Sequence, residues 1–161
     1  MASPFTVRPW RPSDTAPLAS WLSLSEPWRT LGYPADAWPA YFDSLGADPA
    51  READIIGTDD IPSAGLAVVR RHVLLGDYLE LLAIAPSARR RGLGHALLAY
   101  VEARAFGRTT NVYLCVSDFN AEGRAFYQSA GYLEVGHLDA LVVSRHSEVL
   151  MRKTIGPARR A

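Results

Sequence analysis

Residues 79–105 read LELLAIAPSARRRGLGHALLAYVEARA, and the fold follows from how this stretch divides. Tyr78 to Ala85 is nearly all apolar, the pattern of a strand covered on both faces, and Pro86 stops it. From Gly92 to Phe106, Leu93, Ala96, Leu97, Tyr100 and Val101 recur at helical spacing, and Gly107 ends the run. Asn111 to Val116 is a second buried strand. Strand, helix and strand in this order place the two strands parallel in one sheet through a right-handed crossover.

Outward toward the N-terminus, Phe5 to Arg8 reads as a short strand closed by Pro9. Ser13 or Asp14 is placed to cap a helix running to about Leu24. Pro27 and Pro34 hold an aromatic-rich loop, Glu26 to Pro34, and Asp36 is placed to cap a second short helix through Tyr41, Phe42 and Leu45. Ala53 to Gly57 and Ala64 to Val73 are strands, and Gly76-Asp77 signals a hairpin turn. Toward the C-terminus, Asn120 caps a short helix, Ala121 to Ala130, that stops at Gly131, and Tyr132 to Val135 and Glu148 to Lys153 close the fold as strands. The expectation is a mixed α/β (α+β) domain over 1–155 with about six or seven strands and about four helices, followed by a short tail, 156–161.

At 161 residues, 48% hydrophobic and 21% charged, the chain is one domain with enough residues for a core, and its composition is not that of a disordered protein. The longest apolar run, Leu81 to Ala85, is far short of the ~20 residues of a membrane span. A formal net charge of +0 argues against a protein built chiefly to hold nucleic acid. Lys153 is the only lysine, which makes a Schiff-base mechanism a poor expectation. Cys115 is the only cysteine, so neither an internal disulfide nor a cysteine zinc cluster is available, and His72, His95, His137 and His146 lack metal-ligand spacing. Residues 1–10 carry no apolar signal core. These features lead us to expect a soluble cytoplasmic protein, monomer or homodimer, without a metal, nucleic-acid or membrane partner.

Chemistry concentrates where Arg89-Arg90-Arg91 meets Gly92-Leu93-Gly94. A helix N-terminus offers unpaired N–H donors and about half a positive charge. Glycines let backbone lie close to a bulky anion, and arginines add charge around it. The expected ligand is a phosphate or pyrophosphate. The segment is not a Walker loop, because no Gly-Lys-Ser/Thr follows, and not a dinucleotide fingerprint, because Leu97 stands at the third glycine position.

Pro86-x-x-Arg89-Arg90-Arg91-Gly92-Leu93-Gly94 resembles the acetyl-CoA signature of the GNAT family of N-acetyltransferases. A second block, Asn120-x-x-Gly123-x-x-Phe126-Tyr127-x-x-x-Gly131-Tyr132, resembles the same family. Order, separation and predicted elements agree over residues 5–154. The resemblance implies a sheet whose parallel central strands part near the end of the first. The pantetheine arm of acetyl-CoA would pair there with backbone of Leu82, Ala83 and Ile84, with Arg89 near the diphosphate and the amides of Arg90, Arg91, Gly92, Leu93, Gly94 and His95 around it. Asn120 would touch the pantetheine arm, cap its helix, or do both. Gly123 departs from the small alanine usual in this block.

The implied reaction is transfer of an acetyl group to a primary amine, of a small molecule or a peptide or protein N-terminus, by direct attack within a ternary complex. The other reading is a non-catalytic acyl-CoA sensor on the same fold. Tyr127 stands where the family has a tyrosine acid for the departing thiolate. Glu80, a carboxylate in an apolar strand, is the candidate base; an exposed strand residue and a chain of waters are the alternatives. Trp28, Tyr33 and Trp38 are candidates to line the acceptor pocket, and Asp139 and Glu148 carry charge that would favour a cationic amine. Bacterial ribosomal-protein N-terminal acetyltransferases are similar but have Leu-Glu-Val-Arg before the asparagine. Here the strand reads Leu114-Cys115-Val116-Ser117, which points away from that substrate. Cys115 reads as a small buried hydrophobe, since no histidine lies near it in sequence to activate it. Residues 26–32 and 147–153 resemble a little-characterised subgroup of the family, a likeness that names no substrate.

Overall fold

Seven strands and five helices follow one another along residues 4–159, the part of the chain that the computed structural model describes. The order is β1 (Thr6–Pro9), α1 (Thr15–Leu22), α2 (Trp28–Leu31), α3 (Ala37–Ala47), β2 (Arg51–Gly57), β3 (Gly65–Val73), β4 (Gly76–Ile84), α4 (Leu93–Phe106), β5 (Asn111–Ser117), α5 (Ala121–Ser129), β6 (Leu133–Asp139) and β7 (Ser147–Thr154). All strands join one sheet in the order β1-β2-β3-β4-β5-β7-β6. The pair β4–β5 is parallel and the others are antiparallel, as the α4 crossover requires.

Each face of the sheet is covered. On one, Leu97, Leu98 and Val101 of α4 pack against Val69, Leu79, Leu114 and Met151. On the other, Leu18 and Leu22 of α1 and Phe42 of α3 pack against Ile55, Leu66, Val68 and Leu81. Burying a side chain of this size contributes ~1.5–3 kcal/mol, so both layers are held by the strand and helix residues read as apolar.

Four local details differ from the sequence reading. The aromatic loop contains a one-turn helix, α2, ended by Gly32 in the left-handed region (φ 77°). The β3–β4 turn is Leu74-Leu75, both at positive φ (50° and 61°), with Val73 paired to Gly76. Gly76 instead makes room for the neighbouring strand: a Cβ there would lie 2.4 Å from the Asn111 carbonyl oxygen, so β5 begins hard against it. Asp14 does not cap α1. Its carboxylate takes both guanidinium nitrogens of Arg8 (2.7 and 2.8 Å), the Arg11 amide and the Ser63 hydroxyl, tying β1 to the β2–β3 loop. Asp36 makes no capping hydrogen bond to α3 either. Past Thr154 the Ile155 amide still donates to the Thr110 carbonyl at 3.0 Å, and the last two residues of the expected tail lie outside the described residues.

One irregularity positions everything functional. Val68 pairs with Leu81 but Val69 pairs with Leu79, so Glu80 is an extra residue in β4, a β-bulge. On the other side of β4, the last partner in β5 is Leu114, opposite Leu79. Beyond that point residues 80–84 and 115–117 run on as strands without pairing to each other. The sheet opens where the bulge bends β4.

Candidate active site

The opening between β4 and β5 is the floor of a cleft of about 840 Å³. Its walls come from both faces of the sheet. Phe126 and Tyr127 of α5 stand on the α4 side, Trp28 and Tyr33 stand on the side of α1 and α3, and Leu141 and Val142 of the β6–β7 loop form part of the rim. Arg145 Nη2 donates to the Thr30 carbonyl at 2.7 Å and so ties that loop to α2.

At one end lies the entry to α4. Arg90 and Gly92 both take left-handed backbone (φ 60° and 78°), a conformation that gathers successive N–H groups into an anion-binding concavity. Among the described residues, none of the amides of 90–95 donates to a protein acceptor; the first one used is Ala96, to Gly92. The three arginines divide their work. Arg89 Nε donates to the Ile84 carbonyl at 3.2 Å, closing off that strand end. Arg91 forms a two-pronged pair with Asp60 (2.9 Å each), which holds the Asp60 carboxyl well below the usual range. Arg90 stays exposed. A Cβ on Gly94 would meet the Phe126 ring at 3.5 Å, and the same ring packs on His95 at 4.6 Å between centroids. The backbone here, more than the arginine side chains, is open to a phosphate group.

The second block supplies the wall opposite. Asn120 Oδ1 accepts from the Gly123 amide at 2.9 Å, so it caps α5. A Cβ on Gly123 would lie 2.6 Å from Asn120 Nδ2; the glycine is there because the cap folds back over it. Tyr127 stacks edge-on with Phe126 and Tyr132. Its phenol has no hydrogen-bond partner among the described residues, and burial pushes its pKa up, so it stays protonated at neutral pH.

Glu80 lines the cleft but is not a free carboxylate. Its Oε1 accepts from Arg51 Nη2 at 2.5 Å and its Oε2 lies 3.5 Å from Arg70 Nε. The Arg51 side chain is only 6% exposed and lies over the Tyr41 ring. The Glu80 carboxylate is thus committed to an ion pair with a buried guanidinium.

Glu148 is the acid whose importance the sequence reading understates. Opposite Ser117 in the β5–β7 register, it is 5% exposed, and its Oε1 accepts from the Ser117 hydroxyl at 2.7 Å. Burial is the main cause that raises its pKa. Tyr78, Cys115 and Tyr33 share its part of the cleft. Burial also raises the Cys115 thiol, which therefore stays protonated. Tyr33 stacks on the buried Trp38, and Trp28 meets that ring edge-on, so both are anchored where they line the cleft. Asp139 does not line it; on edge strand β6 it accepts from the Ser147 hydroxyl at 2.7 Å. Strand alternation alone predicts the side of β7 on which Glu148 falls, but not that β5 ends beneath it.

Among the described residues no cluster of His, Cys, Asp or Glu is arranged to hold a metal ion, and no helix is long and apolar enough to cross a membrane.

The profile described as the acetyltransferase (GNAT) family matches residues 18–132. No curated protein matches the chain. Many solved structures share the fold. An aminoglycoside 6'-N-acetyltransferase complexed with coenzyme A is 20% identical with a TM-score of 0.75, covering 97% of this chain and 99% of that one. Spermidine N-acetyltransferase from Vibrio cholerae, in complex with CoA and spermine, is 17% identical with a TM-score of 0.73, covering 94% and 95%. The ribosomal-protein-S18-alanine N-acetyltransferase from Escherichia coli is 21% identical with a TM-score of 0.72, covering 97% of each chain.

Proposed function

The chain belongs to the GNAT acetyltransferase family, and from that premise we propose that it moves an acetyl group from acetyl-CoA to a primary amine held in the same cleft. The observation that carries this reading is a coincidence of two features. The unused amides of 90–95 stand at one end of the cleft, and the β4–β5 gap opens along its floor. A diphosphate fits the first, and an extended arm that needs backbone partners fits the second.

Acetyl-CoA supplies an activated thioester; the protein positions it and manages protons. The amides of 90–95, with Gly92 and Gly94, hold the diphosphate, and Arg90 adds charge beside them. Residues 82–84, paired to β3 on one side but without a β5 partner on the other, offer strand backbone to the pantetheine arm, and a backbone N–H near Ile84 steadies the developing oxyanion. Tyr127, kept neutral by burial, gives its proton to the leaving sulfur. Asn120, which lines the cleft, holds the α5 entry in place through its cap. Glu80 braces β2 and β3 to the bulge through Arg51 and Arg70. Thiol release with acetyl-CoA over a panel of amines, beside calorimetric titration of acetyl-CoA, tests this reading. Saturable binding with amine-dependent thiol release is expected. Binding without release from any amine would favour the sensor, and absence of binding would remove the cradle.

A further inference from the structure

The acceptor half of the cleft carries a charge pattern that selects among amines. Four acids line the whole cleft: Glu26, Glu80, Glu122 and Glu148. Glu26 is exposed and tied to Arg29 at 2.7 Å. Glu80 is tied to Arg51 and Arg70. Glu122 is exposed on the first turn of α5. Glu148 alone is buried, and no arginine, lysine or histidine pairs with it among the described residues. Burying a carboxylate without a counter-charge is costly, and a bound ammonium relieves that cost. Above it, Leu24, Tyr33, Leu141 and Val142 make an exposed apolar rim, with no second buried acid within the walls.

Resting on the acetyl-transfer reading, we propose that Glu148 receives the acceptor's ammonium group and takes its proton, and that the acceptor is a primary amine with one positive charge on an otherwise apolar body. The ammonium gives one proton to the Glu148 carboxylate. The freed nitrogen lone pair forms the N–C bond to the thioester carbonyl carbon of acetyl-CoA, and the carbonyl π pair moves onto oxygen. That pair returns as the C–S bond breaks, and the thiolate leaves with the bonding electrons and takes the Tyr127 proton. The second proton on nitrogen restores Tyr127, and Glu148 returns the first to solvent. The sum is ammonium plus acetyl-CoA giving acetamide, CoA thiol and one proton.

Charged and titratable groups around Glu148 are consistent with this role. Asp118 at the end of β5 raises its proton affinity and His146, paired to Asp118 at 3.0 Å, lowers it. Tyr78 of β4, Cys115 of β5 and Tyr33 are neutral at pH 7, their own pKa values raised. Asp139 of β6 is turned to Ser147.

The test is a ranking of acceptors with the full chain and acetyl-CoA: phenethylamine and n-hexylamine against spermidine, kanamycin and a free tetrapeptide. The two monoamines are expected to show kcat/KM at least ten-fold above the others. Glu148→Gln, which keeps the shape and can still accept from Ser117, should lower that value about 10²-fold and leave the acetyl-CoA titration unchanged. In that variant the rate should track free amine, so activity recovers as pH approaches the amine's own pKa, a shift no merely structural role produces. If the Gln variant does not fold, Glu148→Asp replaces it, with the same ranking and about a ten-fold loss. Preference for spermidine, kanamycin or the peptide would overturn the substrate class, and an unaltered kcat/KM in Glu148→Gln would overturn the residue. If no amine turns over, calorimetry of phenethylammonium against the protein with CoA decides. Binding weakened ten-fold in Glu148→Gln keeps the pocket and discards the transfer; equal or absent binding discards the pocket.

Discussion

Leu79 and Leu81 stand two positions apart on β4 yet belong to opposite cores, Leu79 beneath α4 and Leu81 against α1 and α3. Strict alternation would place both on one face. The bulge at Glu80 turns the strand over, and at that point β4 leaves β5. The cleft thus owes its existence to one extra residue, and the side chain of that residue is held by two arginines.

Glu80→Gln should cost about 3 kcal/mol of stability, because it leaves the buried Arg51 guanidinium without its counter-charge. The double change Arg51→Met with Glu80→Leu should recover most of that loss in urea unfolding. If Glu80 instead served mainly as the base, the Gln variant would lose turnover while its unfolding midpoint stayed put.

Tyr127→Phe should lower turnover by about 10²-fold with little change in stability, since the phenol oxygen has no protein partner to lose. Acetyl-CoA affinity should be unaffected. A turnover number equal to that of the parent would take Tyr127 out of the reaction.

The two glycines of the cradle should fail differently. Gly92→Ala has open space for its Cβ but forces φ 78° on an L-residue, a strain of about 1 kcal/mol to be read from thermal unfolding. Gly94→Ala meets Phe126 only at ordinary contact distance and should fold normally. Gly94→Leu should weaken acetyl-CoA binding more than ten-fold, and an unchanged titration curve would contradict the cradle.

Gly123→Ala should not bring the ~1 kcal/mol that alanine normally adds to a helix. Its Cβ displaces the Asn120 side chain, and a lost N-cap costs about the same. In an Asn120→Ala background the conflict is gone, and Gly123→Ala should then stabilise by about 1 kcal/mol. An additive double-mutant cycle would rule the conflict out.

Acid should loosen the β1 attachment. Arg8, first among several partners, holds the Asp14 carboxyl below its ordinary range. The stability Asp14 contributes is therefore complete above about pH 3.9, the ordinary carboxylate value, and is lost as pH falls through the lower folded value. Asp14→Asn should cost about 3 kcal/mol at neutral pH, and the gap to the parent should shrink steadily below about pH 4. A gap of constant size down to about pH 2 would assign the loss to packing.

Much of this protein is local and could be read in order along the chain. The apolar run of Tyr78 to Ala85, the periodicity of Leu93 to Val101 and the glycines at 92 and 94 determine a strand, a helix and a glycine-bearing turn between them, because strand and helix periods and glycine's backbone freedom act over a few residues. The seven-strand sheet and the crossover follow from that local order. Tertiary structure alone decided which acids are free. Glu80 and Glu148 look alike in sequence, one carboxylate each in an apolar strand. Arg51, 29 residues away, neutralises the first, while Ser117, 31 residues away, only hydrogen-bonds the second. Charge compensation depends on distances of a few ångströms between segments far apart in the chain, and a one-residue bulge determines which of them meet.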